Sequence, residues 1–216
     1  MRTMKVAATV CLLILSIAAA RGASVSYGPT SAIPDTKTDW TSALDFPKFD
    51  STLGVLNTVE LSITGEIKTT LTVTNNASSA SDGNAKTHVT ITVRDPLTLL
   101  TVMPDIYSPP FGYTLPPNTS TTSGLLTKSE TKDGSWTAAA ILTEFTGTGN
   151  ISLSAVTFTE TVLVNNGGNT FASQVTDANA TGLVTYYYTP VPEPSGIMAL
   201  LTGVGGLLGM AFRRRR

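Results

Sequence analysis

Apolar and polar residues alternate one by one along much of this chain, and a side-chain period of two suits a half-buried strand rather than a helix. The clearest run is Val59-Glu60-Leu61-Ser62-Ile63-Thr64. After Gly65 the alternation resumes from Ile67 to Val73, with Ile67, Leu71 and Val73 on one side. His88-Val89-Thr90-Ile91-Thr92-Val93-Arg94 repeats the pattern, and Leu97 to Val102, Ile151 to Val164, Phe171 to Val175 and Leu183 to Thr189 are weaker versions. The Ile151 to Val164 run changes phase between Ala155 and Val156, which predicts either a bulge or two strands. Thr137 to Phe145, with three alanines in a row, is compatible with a strand or a short helix.

Turn chemistry separates these runs. Asn75-Asn76, Asp82-Gly83-Asn84, Asp95-Pro96, Pro116-Pro117-Asn118, Asp133-Gly134-Ser135, Gly147-Thr148-Gly149 and Asn165-Asn166-Gly167-Gly168-Asn169 each predict a reversal. About eight short strands at this spacing point to an all-β fold, an antiparallel β-sandwich or jelly roll, rather than a parallel sheet with crossover helices.

Both ends of the chain carry targeting patterns. Arg2 and Lys5 precede an apolar stretch from Val6 to Ala20, the layout of a secretory signal peptide, and Ala18-Ala19-Ala20 offers a cleavage site before Arg21. At the other end Val191-Pro192-Glu193-Pro194 leads into an apolar run from Gly196 to Phe212 that stops at Arg213-Arg214-Arg215-Arg216. A run of that length is near the lower limit for one transmembrane helix, and the arginines orient its end toward the cytoplasm. The expected organisation is a signal peptide over 1–20, an exported β-rich domain over 21–189, a proline-rich linker over 190–194, and a transmembrane sorting helix with its arginine cluster over 195–216.

A Pro-Glu-Pro tripeptide, a glycine-rich apolar helix and a terminal arginine cluster, in that order, resemble the PEP-CTERM sorting signal of bacterial exported proteins. The resemblance implies recognition of Pro192, Glu193 and Pro194 by a membrane-embedded exosortase, after export by the translocon and trimming by signal peptidase. Arg213, Arg214, Arg215 and Arg216 would serve as the orientation signal. A second likeness covers about Tyr27 to Thr189. Thr38-Asp39-Trp40, then Leu44-Asp45-Phe46-Pro47-Lys48-Phe49-Asp50, then Leu53-Gly54-Val55-Leu56 is similar to the choice-of-anchor E domain. That family implies a predominantly β domain delivered to the surface and supplies no catalytic residue.

Composition narrows the chemistry. Cys11 is the only cysteine and falls in the signal segment, so the exported domain has neither disulfides nor a zinc–thiolate site. The formal charge of −1 hides an asymmetry. Setting aside Arg2, Lys5, Glu193 and Arg213 to Arg216 leaves eight basic and fourteen acidic residues, about −6 for the exported part. With no basic patch outside the tail, nucleic acid is not an expected partner.

Candidate chemistry is sparse. His88 is the only histidine, so it would have to be the base of any histidine-dependent hydrolase, yet no G-x-S-x-G elbow accompanies it. The expectation is an ordinary strand residue. Glu60, Glu66, Glu130, Glu144 and Glu160 lie in or beside candidate strands, and any two that met could support glycoside hydrolysis. Asp35, Asp39, Asp45 and Asp50 concentrate carboxylates suited to calcium, but without EF-hand spacing they read as loop residues. Trp40 and Trp136 are the candidate ligand-binding aromatics, since flat rings suit sugar faces; of Tyr186-Tyr187-Tyr188 only Tyr186 and Tyr188 can share a face, and the ordinary expectation for all five is sheet core on one face and an exposed aromatic on the other. The sequons at Asn76, Asn118, Asn150 and Asn179 matter only where a cell glycosylates them.

These observations predict a non-enzymatic exported protein of structural or adhesive type, without metal or cofactor, at the cell surface or in an extracellular matrix. A carbohydrate-binding module, or less readily a glycosidase, acting on extracellular polysaccharide is the alternative.

Overall fold

The computed structural model describes residues 22–29 and 32–191. The signal segment, Pro192-Glu193-Pro194, the apolar run and Arg213 to Arg216 lie outside the described residues. Among the described residues no helix is long and apolar enough to cross a membrane.

Twelve strands and one helix follow in the order β1 (Ala23–Tyr27), β2 (Ile33–Lys37), β3 (Thr41–Pro47), β4 (Gly54–Asn75), β5 (Ser81–Arg94), β6 (Thr101–Val102), β7 (Asp105–Tyr107), β8 (Phe111–Leu115), β9 (Thr119–Thr122), β10 (Leu126–Trp136), α1 (Ala139–Glu144), β11 (Asn150–Asn166) and β12 (Thr170–Pro190). They form two six-stranded antiparallel sheets. In the first, the order is β1-β12-β4-β10, with β2 on β12 and β9 on β4; in the second it is β3-β11-β5-β6, with β7 and β8 also on β5. The twelve strands thus fill eight positions, close to the number of runs the alternation predicts. This is the expected all-β, antiparallel two-sheet sandwich.

The long ladder between β4 and β12 explains why Gly65 is not a break. β4 runs straight through it, buried at every second residue from Val59 to Asn75. A Cβ on Gly65 would lie 2.5 Å from Ile91 Cδ1 and 2.9 Å from Ile106 Cδ1, so the glycine lets the facing sheet approach. The one irregularity is nearer the start, where Tyr187 pairs Thr58 but Tyr188 pairs Leu56, leaving Asn57 as the extra residue of a bulge.

Two predicted turns are strand interior. Asp82-Gly83-Asn84 lies within β5, where Gly83 pairs Asn165 and Tyr113, and Asp133-Gly134-Ser135 lies within β10. In both cases the glycine makes room: a Cβ on Gly83 would meet Val164 O at 2.1 Å, and one on Gly134 would meet the Trp136 ring at 2.2 Å. The predicted bulge in Ile151 to Val164 is also absent, because β11 pairs β3 and β5 without a register shift. Ile151, Leu153 and Ala155 point inward and are followed there by Thr157, while Val156 and Phe158 belong to the outer face. Thr137 to Phe145 resolves as the short helix α1, whose Ile141 is buried.

The core is divided by threonine. A larger cluster contains Leu44, Phe46, Phe49, Leu61, Ile63, Ile67, Ile91 and Tyr186; a smaller one contains Leu71, Val73, Ala85, Tyr113 and Leu115. Between them the buried hydroxyl of Thr69 bonds Thr87 at 2.8 Å and Thr176 at 2.7 Å, bridging both sheets. At this level the chain crosses from β2 to β3. Thr38 N–H donates to Thr176 O at 3.0 Å, Asp39 takes φ 67°, and Trp40 N–H donates to Thr157 Oγ1 at 3.0 Å.

Candidate functional site

His88 sits on the outer face of the second sheet, paired with Glu160 of β11 on one side and Tyr107 of β7 on the other. Its Nδ1 lies 2.8 Å from Glu160 Oε1, its Nε2 bonds Asp105 Oδ1, and its ring stacks on Tyr107 with centroids 4.2 Å apart and planes at 4°. Two carboxylate acceptors require two N–H donors, which only the imidazolium supplies. Partial burial pulls the imidazole down, but the hydrogen bonds to Asp105 and Glu160 more than offset this and hold it above its ordinary value. The bond to His88 in turn lowers Asp105. Thr90 Oγ1 also donates to Asp105 at 3.2 Å. Chemically this is a charge-compensated clamp: it fastens the three-residue β7, with Ile106 buried beneath it, across β5 to β11.

Strand alternation placed His88 and Glu160 on strands, but only the fold sets them side by side, 72 residues apart. Asp105 and Tyr107 were missed because β7 is too short to show a period.

A second acidic contact joins α1 to the loop after β5. Asp95 accepts from Leu97 N–H at 3.1 Å and Thr98 N–H at 2.8 Å, and Thr98 Oγ1 also donates to it. Glu144 approaches it from the helix. Burial first, and then Asp95, push the Glu144 carboxyl above its usual range; the bonds from Thr98 and Leu97 keep Asp95 below its own despite burial. The other candidate glutamates are held separately: Glu66 Oε2 accepts from Asn179 at 3.3 Å, Glu130 pairs Lys128 at 2.9 Å, and Glu60 sits on β4 opposite Thr185 of β12.

The four aspartates are dispersed. Asp35 on β2 pairs with Lys68 and accepts from Asn179 at 2.8 Å, Asp39 is at the crossing between sheets, Asp45 is in β3, and Asp50 caps Thr52 N–H at 2.9 Å. Among the described residues no three His, Cys, Asp or Glu side chains gather as a metal site.

Trp40 belongs to the core. It is 9% exposed and its indole N–H donates to Ala178 O at 3.3 Å, so of the two candidate tryptophans this one is a sheet-core residue. Trp136 is half-buried at the core margin, with its ring against Gly134. Tyr186 is fully buried, donates to Pro47 O at 2.7 Å, and is pushed well above its ordinary pKa by burial. Tyr188 lies on the same face against Phe49 at 5.1 Å, while Tyr187 is exposed.

The described chain ends at Val191, whose N–H donates to Leu53 O at 3.2 Å. Beside this exit an open cavity of about 460 Å³ is lined by Gly54, Val55, Leu56, Leu142, Thr143 and Thr146.

No family model matches the chain, and no curated protein matches it. The solved structures it is similar to include those of the Gt and Gx strains of infectious bursal disease virus, at 12% and 13% identity. They cover 87% and 82% of this chain, and the chain spans 48% and 43% of theirs, with TM-scores of 0.13 and 0.14. Likeness that low carries no argument.

Proposed function

We propose that the chain is an exported surface or extracellular-matrix protein of structural or adhesive type, delivered through its C-terminal tail. The observation that carries this reading is the order Pro192-Glu193-Pro194, an apolar run to Phe212, and Arg213 to Arg216. In this reading the translocon and signal peptidase act first, the apolar run holds the precursor in the membrane, and an exosortase cuts near the tripeptide. The β domain, whose eight positions follow the interleaved order of a jelly roll, is then the delivered part. Extracellular polysaccharide is its proposed partner class, and no catalytic residue is assigned.

Intact-mass analysis of the natively expressed protein from membrane and extracellular fractions tests both processing steps. A species running from near Arg21 to near Pro194 outside the cell supports sorting. Replacing Pro192, Glu193 and Pro194 with alanine should then retain the full-length form in membranes, and an unchanged distribution would sink the proposal.

A further inference from the structure

The two lateral sides of the sandwich are finished differently. On one side β10 carries Lys128, Glu130, Lys132 and Asp133 within eleven residues, the charged surface that keeps an edge strand from pairing with another chain. On the other side β3 covers β11 only as far as Val156, because the chain changes sheets at Thr38 to Trp40 instead of at the end of the sandwich. From Thr157 to Asn166, β11 pairs with β5 on one flank and with no described strand on the other. This stretch contains one charged residue, Glu160, which His88 already engages, and no proline or bulge. Phe158 is 62% and Val164 58% exposed.

The direction of the free backbone groups follows from one bond. Thr157 N–H points to the β3 side, where it donates to Trp40 O at 3.1 Å. With alternation, the N–H and C=O groups of Thr159, Thr161, Leu163 and Asn165 point to the same, uncovered side.

We propose that this edge is a self-association surface, on which β11 of a second copy pairs antiparallel about a two-fold axis at Thr161. In that register Thr161 meets its own copy, Thr159 meets Leu163, Phe158 meets Val164 and Glu160 meets Val162. Apolar outer-face residues face each other and no like charges are opposed. Centring the axis on Glu160 would put two carboxylates opposite one another, and centring it on Val162 would pair Phe158 with Asn166. Of these three registers, the one centred on Thr161 is self-complementary over the whole uncovered stretch, as an isologous contact requires. With ten residues a side, against roughly 20–30 in a standard interface, the dimer is weak and concentration-dependent. The inference is independent of the sorting tail.

The test uses the natively exported protein, with sedimentation velocity over a micromolar concentration series. A reversible dimer is expected. Thr161→Cys in a Cys11→Ser background should give a covalent dimer on mild oxidation or with a short bis-maleimide, because directly opposed Cα atoms lie about 5.5 Å apart. Ser129→Cys on β10 should not. Thr161→Pro removes a donor that faces the open side and should weaken dimerisation about tenfold or more with unchanged circular dichroism. Should that variant fail to fold, the exposed Phe158→Lys serves the same purpose. A monomer at every concentration, a dimer indifferent to both substitutions, or cross-linking at 129 as efficient as at 161 would overturn the proposal; so would an edge occupied only by a different protein.

Discussion

The threonine layer that divides the core gives a sharp test of how the sandwich is held together. Thr69→Val keeps the side-chain shape and removes one hydroxyl, so no cavity opens. The two bonds from Thr69, to Thr87 and Thr176, are lost. Their ends differ: Thr176 retains Gln174 Oε1 at 3.3 Å, whereas Thr87, fully buried, loses its side-chain partner. A net hydrogen bond contributes about 1 kcal/mol and a newly orphaned buried hydroxyl costs about 1–3 kcal/mol, so a loss of about 2 kcal/mol is expected. At this size that lowers Tm by roughly 4–8 °C. Urea unfolding should show a lower midpoint at an unchanged m-value. Adding Thr87→Val removes the orphan, so the double variant should be more stable than the sum of the singles predicts, by about 1 kcal/mol. A Thr69→Val variant within 0.5 kcal/mol of the parent, or strict additivity, would refute the hydroxyl bridge.

Three further outcomes follow. The raised pKa of His88 means its clamp is complete below its unfolded value and is lost as pH rises through the folded one, while the lowered Asp105 sets the acid limit; urea midpoints at pH 5.5 and 8.5 should therefore converge in His88→Gln. Glu144→Gln removes the carboxylate that Asp95 repels and should stabilise by about 1 kcal/mol at pH 7, a gain that vanishes as pH falls below the ordinary glutamate value; an equal effect at pH 3 would contradict this. Gly83→Ala drives a methyl into the Val164 carbonyl, so thermal unfolding should show a loss of about 2–3 kcal/mol, and a neutral result would mean the strands there are farther apart.

Alternation made the inward faces of β4 and β5 legible, because Val59, Leu61, Ile63 and Ile67 opposite Val89, Ile91 and Val93 are apolar at every second place. It failed where the inward face itself turns polar. At Thr157 the apolar residues on either side, Val156 and Phe158, took over the pattern and suggested a bulge that does not exist. Glycine follows two different rules: at 83 it is required by the Val164 carbonyl across the ladder, a contact that local sequence does not contain, whereas at 134 it makes room for the Trp136 indole two residues along the same strand. The Asn75-Asn76 turn was read correctly because its chemistry is local: Asn75 Oδ1 accepts from Ala77 N–H at 3.0 Å and its amide donates to Ser79 O at 2.8 Å. The His88 cluster lay between these cases, with two members on visible strands and two on a strand too short to see.

The register also fixes where the two halves of the proposed biology meet. Ala23 pairs Tyr188 and Gly54 pairs Pro190, so the domain's first strand begins, and its last strand ends, at one pole of the first sheet. The uncovered stretch of β11 lies toward the opposite pole, where Asn166 leads into Thr170 at the start of β12. From Thr176, level with the threonine layer, β12 runs fourteen residues to Pro190, about 45 Å at roughly 3.3 Å per residue. A domain held at a membrane through the segment after Val191 would thus carry its free edge well away from the attachment point. Self-association through that edge is compatible with the tethered precursor and with the released protein alike, so blocking cleavage should leave the Thr161→Cys cross-link intact. Loss of the cross-link in the uncleaved form would show that the two poles are not independent.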